Sequence, residues 1–261
     1  MITSTSNQQV KQIIQLQKKS KLREKEQVFI VEGRKMFEEA KSFLKKVYMT
    51  EDFYEEHKNI PSYFEEMDYE LVTDSVMKSM SDTMTPQGVL ALAKMPKYNL
   101  EDMVKKDRVT LLLLENLRDP GNLGTIIRTA EGAGVTGIIM SKESVDIFNP
   151  KVIRSTMGAI YRMPFIYVEN FKKTMEYLQQ QKVIIYASHL KGKNDYDEER
   201  YGAKTAIIIG NEANGITEET AEMADVLVKI PMEGSVESLN AAVASAILVY
   251  EVYRQRRNLK K

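Results

Sequence analysis

The chain has 261 residues, of which 43% are hydrophobic and 28% are charged, a composition typical of soluble globular proteins with room for two domains. It contains no Cys, which excludes disulfides, thiolate metal ligands and Cys nucleophiles, and its formal net charge of +0 means that nucleic-acid binding would need a local basic face. No apolar run is long enough to span a membrane and the polar N-terminus has no signal-peptide core, so we expect a cytoplasmic protein without membrane contact.

The first 25 residues are polar and basic. Asn7 could cap a helix with an irregular apolar stripe. The cations of this segment include Lys18, Lys19 and Arg23. These cations either contact RNA or form a solvated helix face. The second is the commoner outcome for a run of charges.

A compact α/β unit is predicted over residues 1–98. Apolar runs predict its strands at 28–31, 46–49, 69–72 and 88–94. A turn at Glu32 and Gly33 separates the first of these strands from a helix that begins at Arg34. Residues 100–107 are polar and helical in pattern and predict a linker to a second domain over 106–261.

The second half alternates strands and helices. Val109 to Leu114 is a continuous apolar run, which is typical of a strand buried on both faces. Further strands are predicted at 137–140, 164–168, 183–187, 206–209 and 226–230. This alternation predicts a mostly parallel sheet covered by helices. A last helix, rich in small and apolar residues, is predicted from Ser238 to Arg257.

Gly132 to Gly137 fits the pattern G-x-G-x-x-G of dinucleotide-binding proteins. That motif has to follow a strand and open a helix. Here it follows a predicted helix and leads into a predicted strand, so we interpret it as the end of a helix. Nicotinamide or flavin binding is therefore disfavoured.

Two predicted strands end in loops that contain glycine, at 210–215 and 231–235. Ligands bind beyond the carboxyl ends of strands in open α/β sheets, and glycine lets the backbone approach a ligand closely. These loops are candidate ligand-binding segments, although two ordinary strand-to-helix turns would give the same pattern.

The second half resembles SpoU/TrmH-type RNA 2′-O-ribose methyltransferases of the SPOUT superfamily. Three motifs occur in that family's order: Asn122-x-Gly124-x-x-x-Arg128-x-Ala130, then Gly210-Asn211-Glu212-x-x-Gly215, then Ile230-Pro231-Met232 with Ser238-Leu239-Asn240. The first half resembles the ribosomal-protein-like substrate-binding domain that often precedes this one, notably from Phe29 to Arg34.

The resemblance implies an α/β fold in which the C-terminal segment forms a deep trefoil knot. It also implies a homodimer whose two subunits together build each site, and S-adenosylmethionine bound inside the knot without a metal. The residues expected around the cofactor are Gly210, Asn211, Glu212, Ile230, Met232, Ser238 and Leu239.

The family pattern places Arg128 at the methyl-transfer site. A guanidinium with a pKa above ~12 is a poor base, so we favour a clamp on phosphate and hydroxyl, and a general-base role remains open. Asn122 and Glu212 are expected to orient Arg128 and the RNA, and Ser238 and Asn240 to hold the loop or the substrate. The structural alternatives are helix caps at Asn122 and Ser238 and an ordinary surface acid at Glu212.

The expected substrate is large-subunit (23S) ribosomal RNA, because a folded N-terminal domain of this type is more usual in ribosomal RNA enzymes. The candidate RNA contacts in that domain are Arg34, Lys18, Lys19 and Arg23. The alternatives are a tRNA 2′-O-methyltransferase and a catalytically silent RNA-binding relative.

Overall fold

The computed structural model describes residues 1–258. Its helices are α1 (Gln8–Lys18), α2 (Ser20–Glu26), α3 (Arg34–Glu39), α4 (Glu51–His57), α5 (Asp74–Met80), α6 (Leu100–Val104), α7 (Pro120–Gly132), α8 (Pro150–Ser155), α9 (Phe171–Gln180), α10 (Glu218–Met223) and α11 (Ala241–Asn258). Its strands are β1 (Val28–Glu32), β2 (Leu44–Met49), β3 (Tyr69–Leu71), β4 (Val89–Lys94), β5 (Val109–Leu114), β6 (Gly137–Ser141), β7 (Phe165–Val168), β8 (Ile184–Ser188), β9 (Asn194–Asp195), β10 (Lys204–Ile209) and β11 (Val226–Lys229). Within residues 1–258, no helix has the length and apolar character needed to span a bilayer.

The first compact unit contains residues 1–97 and 146–161. Its sheet has the order β1-β4-β2-β3, in which β4 is antiparallel to both neighbours and β3 is parallel to β2. The predicted N-terminal helix is confirmed as α1, and Asn7 caps it by accepting a hydrogen bond from the Gln9 backbone N–H at 2.8 Å. Val10, Ile13 and Leu16 of α1 are completely buried, so this helix is part of the core of the unit.

The second compact unit contains residues 98–145 and continues from 162. Its sheet has the order β7-β6-β5-β10-β8-β11-β9, and every neighbouring pair is parallel. All residues of β5 are buried, as expected for a strand covered on both faces. The predicted parallel sheet is confirmed. The core between sheet and helices contains Leu111, Leu113, Ile139, Ile185 and Ile208.

The structure differs from the sequence-based expectation at three places. Residues 100–107 are not only a polar linker, because Met103 and Val104 of α6 are buried in the core of the second unit. The last helix begins at Ala241 and not at Ser238, because the Asn240 side chain caps it. The predicted domains are continuous, whereas the first compact unit also includes residues 146–161.

The glycine-rich segment at 132–137 ends a helix, as predicted. Helix α7 stops at Gly132, Gly134 adopts a positive φ of +72°, and β6 starts at Gly137. A left-handed glycine just after a helix is a common way to end it.

Helix α11 is anchored at its far end by a guanidinium. Arg256 donates hydrogen bonds to the carbonyl oxygens of Val109 at 2.8 Å and of Gly202 and Ala203 at 3.0 Å, and also to the Thr110 hydroxyl. These acceptors lie where β5 and β10 begin. Burial lowers the pKa of Arg256, and repulsion from Arg108 acts in the same direction. The helix therefore runs from the carboxyl ends of the strands to their amino ends.

Candidate active site

The chain turns back on itself directly after β10. The Asn211 N–H donates to the Gly215 carbonyl at 2.9 Å, and the Gly215 N–H donates to the Asn211 carbonyl at 2.9 Å. A Cβ at Gly210 would lie 2.1 Å from the Gly215 carbonyl carbon and 2.2 Å from the Ile216 nitrogen. Only glycine fits at position 210, because backbone atoms of the returning chain occupy the space of any side chain.

A buried carboxylate attaches the end of this turn to the neighbouring strand. Glu115 follows β5 and is 6% exposed. It accepts hydrogen bonds from the Thr217 N–H at 2.8 Å and from the Thr220 hydroxyl at 2.6 Å. Glu115 was not among the predicted site residues, although an acidic residue directly after the apolar run from Val109 to Leu114 was the available signal. Its bonds hold the loop after β10 against the end of β5.

Side chains from all three sequence motifs meet beside this turn. Glu212 Oε1 accepts a hydrogen bond from Asn122 Nδ2 at 3.0 Å, and Asn122 Oδ1 accepts one from Asn240 Nδ2 at 2.9 Å. Asn240 Oδ1 in turn accepts from the Ala242 N–H at 2.9 Å at the start of α11. The chain of bonds has one direction, because a backbone N–H can only donate and a carboxylate can only accept.

Glu212 also accepts from two backbone groups. The Asp119 N–H donates to Oε1 at 3.0 Å and the Arg118 N–H donates to Oε2 at 3.2 Å. Partial burial acts to raise the pKa of Glu212, but the hydrogen bonds from Asn122 and from backbone N–H groups outweigh it and leave the pKa lowered. The carboxylate is therefore held in its ionised form. Glu212 is not an ordinary surface acid, because its hydrogen bonds fix its position.

Helix α7 positions the first motif. Asp119 caps it by accepting from the Asn122 N–H at 2.7 Å, and Pro120 occupies the first turn, where its missing N–H costs little. Asn122 is therefore not the cap of this helix. Arg128 lies on the exposed side of α7, and within residues 1–258 its guanidinium makes no hydrogen bond or ion pair. In the part of the chain that the structure describes, the network at Glu212 and the guanidinium of Arg128 are thus not joined.

A cavity of about 450 Å³ opens beside the turn. Every residue expected around the cofactor lines it: Gly210, Asn211, Glu212, Ile230, Met232, Ser238 and Leu239. Its size falls within the range of small-molecule pockets, roughly 300–1,000 Å³. Its lining includes apolar side chains and also backbone and side chains with polar groups, which suits a ligand with a flat ring and polar edges. Ser238 lies before α11 and is not its cap.

The loop after β8 forms a further part of the wall, and it was not among the predicted ligand-binding segments. Ser188, His189, Leu190 and Lys191 line the cavity. His189 Nδ1 accepts a hydrogen bond from the Lys191 N–H at 3.1 Å, so the ring carries its proton on Nε2 when neutral. The position of this loop at the carboxyl end of a predicted strand was the signal that could have identified it.

Among the residues that the structure describes, no group of three or more His, Cys, Asp or Glu side chains could hold a metal ion. Metal independence stays a prediction that needs a direct test.

The four basic residues predicted to contact RNA lie in the first unit. Lys18, Lys19 and Arg34 are exposed. Arg34 pairs with Glu56 at 2.7 Å. Arg23 does not fit the prediction, because it is 3% exposed and donates to the carbonyls of Leu16 and Gln17 and to Asp146. Its guanidinium has a structural role and is not presented to a ligand.

Two family models match the chain. The MRM3-like substrate binding domain matches residues 7–91, and the SpoU rRNA Methylase family matches residues 110–250, more than half of the chain. The chain belongs to the SpoU rRNA methylase family. The resemblance inferred from the three motifs is thereby confirmed, and so is the resemblance of the first half to a substrate-binding domain.

Several SpoU relatives are similar over most of this chain. A Bacillus subtilis (strain 168) protein named 23S rRNA (guanosine(2553)-2′-O)-methyltransferase RlmP is 33% identical over 255 residues, which are 96% of this chain and 98% of that one. A Staphylococcus epidermidis protein named putative TrmH family tRNA/rRNA methyltransferase is 34% identical over 200 residues, 73% of this chain and 80% of that one. The crystal structure of an AdoMet-bound rRNA methyltransferase from Sinorhizobium meliloti is 30% identical, covers 99% of this chain and 97% of that one, and superposes with a TM-score of 0.86. The predicted α/β fold class is confirmed by this similarity.

Proposed function

We propose that this SpoU protein transfers a methyl group from S-adenosylmethionine to a ribose 2′-hydroxyl of RNA, and that the RNA is large-subunit ribosomal RNA. The observation that carries the proposal is the meeting of Asn122, Glu212 and Asn240 beside a cavity lined by all seven expected cofactor residues. The B. subtilis relative, which is similar from end to end, is named for this reaction on 23S rRNA.

The cavity wall fits S-adenosylmethionine. Ile230, Met232 and Leu239 offer apolar surface for the adenine faces, and the backbone from Gly210 to Glu212 offers polar groups for its edge. When bound, the cofactor supplies an electrophilic methyl group on a sulfonium. The S. meliloti relative is AdoMet-bound in its crystal structure.

The chain's own residues would position the hydroxyl and dispose of its proton. Arg128 would clamp the phosphate and the hydroxyl and favour passage of the proton to a phosphate oxygen, because a guanidinium stays protonated. Glu212, Asn122 and Asn240 form a rigid network that fixes the loop after β10 against the first turns of α7 and α11. Ser238 lines the cavity nearby and is a candidate contact for loop or substrate.

We assign RNA binding to residues 1–98 and catalysis to residues 106–261. The match of residues 7–91 to a substrate-binding domain supports the first assignment. Lys18, Lys19 and Arg34 are the candidate RNA contacts, and Arg23 is left out because it is buried. The same domain supports ribosomal RNA over tRNA, although the S. epidermidis relative is named for both substrates.

We also propose a homodimer with a knotted C-terminal segment, as the family resemblance implies. The outer face of α11 supports a second copy as its partner, because Val243, Tyr250 and Tyr253 are 48%, 46% and 42% exposed. Isologous contact between two copies is the commonest way to bury such a face. The guanidinium of Arg128 has no partner among residues 1–258, and in a dimer it would complete a site together with residues of the second subunit. We expect the protein in the cytoplasm.

Isothermal titration with S-adenosylmethionine in the presence of EDTA tests the cofactor, and methyl transfer to total RNA from a strain that lacks the gene tests the reaction. We expect metal-free binding and a labelled 2′-O-methyl nucleotide in large-subunit rRNA. Binding without transfer to any RNA would favour the silent RNA-binding relative. Label that appears in tRNA alone would favour the tRNA enzyme.

A further inference from the structure

A second cavity is also lined by the loop after β10. Its volume is about 710 Å³, and residues 211–216 of this loop line both cavities. The opposite wall comes from Asn116, Arg118, Asp119 and Pro120, between β5 and α7. A ligand in this second cavity would therefore meet a ligand in the first one at the rim formed by the loop.

Most polar groups of the second cavity are already occupied. The Asn116 carbonyl accepts from Asn211 Nδ2 at 2.8 Å, Asp119 Oδ1 caps α7, and Glu212 binds Asn122 and two backbone N–H groups. Thr217 is bound to Glu115. These groups build the cavity and leave little capacity for a ligand.

Arg118 and Asn214 are different. Within residues 1–258, neither side chain makes a hydrogen bond or an ion pair. The backbone of Arg118 is nevertheless fixed, because its N–H donates to Glu212 at 3.2 Å, and the backbone of Asn214 is fixed by Asn211 Oδ1 at 3.2 Å. Arg118 and Asn214 thus have a fixed backbone and free side-chain donors, and Asn214 also has a free acceptor. Pro120 and Ala213 add apolar surface to the same cavity.

We propose that this second cavity binds the base of the nucleotide to be methylated, and that Arg118 recognises guanine there. A guanidinium forms two parallel hydrogen bonds with O6 and N7 of guanine, whereas adenine presents a donor in place of O6. The two carboxylates that line the cavity, Asp119 and Glu212, disfavour an isolated phosphate as occupant. This inference rests on the proposed function, and the B. subtilis relative is named for a guanosine.

The probes are a transcribed fragment of 23S rRNA that contains guanosine 2553, the nucleotide in the name of the relative, and the same fragment with adenosine at that position. The variants are Arg118→Ala, Arg118→Lys and the control Arg108→Ala. Arg108 is also exposed but precedes β5, at the opposite end of the strand that Arg118 follows. The kcat/KM for methyl transfer to each RNA and the Kd for the cofactor are measured for each protein.

We expect Arg118→Ala to lower kcat/KM for the guanosine fragment by roughly 10- to 100-fold, the usual discrimination from one bidentate base contact. The value should then be close to that for the adenosine fragment. Arg118→Lys should not restore the preference, because a lysine lacks the planar fork. The cofactor Kd of the Arg118 variants should equal that of the wild type. The Arg108→Ala variant should have the wild-type kcat/KM and the wild-type cofactor Kd.

An equal loss of kcat/KM on both fragments, with rescue by Arg118→Lys, would show a phosphate contact and overturn the proposal. Unchanged kinetics would overturn it as well, and so would a wild-type enzyme that methylates a nucleotide other than guanosine. A wild-type protein that binds cofactor but methylates no RNA would instead refute the proposed function, and the base assignment would fall with it.

Discussion

The side-chain amide of Asn240 donates a hydrogen bond to Oδ1 of Asn122 at 2.9 Å, although 118 positions separate the two residues. This bond joins the first and third sequence motifs, and the bond from Asn122 to Glu212 adds the second. The direction of donation is fixed at both ends of the network. An isosteric change that turns a donor into an acceptor should therefore disrupt it.

Asn122→Asp keeps the shape of the side chain but removes the donor that faces Glu212. Two carboxylates would then stand 3.0 Å apart, the present separation of Asn122 Nδ2 and Glu212 Oε1, and one of them would take up a proton more readily. We expect methyl transfer to fall by about 10- to 100-fold at neutral pH, as for loss of a hydrogen bond to a charged group. Activity relative to wild type should recover as pH is lowered, because a shared proton restores the donor.

Asn122→Ala is the matched variant, because it removes the amide without adding a charge. Its activity relative to wild type should not rise as pH falls. A parallel pH profile for the two variants would show that the charge at position 122 has no effect on Glu212.

Glu212→Gln tests the lowered pKa of Glu212. Because the folded pKa lies below the ordinary value of 4.5, ionised Glu212 stabilises the fold at neutral pH, and this contribution is lost as pH falls through the folded pKa. Urea unfolding should show that the wild type is more stable than the variant at pH 7. The difference in the free energy of unfolding should shrink below about pH 4, near the pKa of Glu in an unfolded chain. A difference that grows in acid would contradict this assignment.

Arg128→Ala tests the proposed catalytic role. We expect the transfer rate to fall by ~100-fold or more, as for loss of a main electrostatic group in the transition state. Thermal stability should remain unchanged, because within residues 1–258 the guanidinium has no partner to lose. Cofactor affinity should also remain. A variant with most of its turnover intact would remove Arg128 from the site.

Arg256→Ala tests the anchor at the end of α11. The change removes the donors to Val109, Gly202 and Ala203, and we expect a loss of about 2–4 kcal/mol in the free energy of unfolding, as for several buried hydrogen bonds. Arg257→Ala is the control, because the exposed Arg257 makes, among residues 1–258, only a cation–π contact, with its Cζ 5.8 Å from the centroid of the Tyr253 ring. Equal stability of the two variants would show that the anchor does not matter.

Tyr250→Glu and Val243→Glu test the proposed dimer. Each places a charge on the exposed apolar face of α11, and burial of an unpaired charge in an interface would be costly. Sedimentation equilibrium should show a dimer for the wild type and a shift toward monomer for both variants. Ile60→Glu, on an exposed residue of the first unit, should remain dimeric. A wild-type monomer at micromolar concentration would refute the dimer.

The sequence by itself determined the fold class, the family and seven of the residues that line the first cavity. The fold class follows from local information, because apolar runs predict buried strands, whereas the cavity residues follow from the resemblance to the family's motifs. The order of the three motifs along the chain was sufficient to identify the family, because their residue types and spacing are read without any knowledge of contacts.

Only the tertiary structure decided which partners these residues have. Arg23 and Arg34 are both basic residues of the first half, yet one is buried against carbonyl groups and the other is exposed. The bond between Asn122 and Asn240, the buried Glu115 and the inclusion of residues 146–161 in the first unit depend on contacts between distant parts of the chain. Residue type and spacing carry no record of such contacts, because packing alone determines whether a polar side chain meets solvent, a carbonyl or another motif.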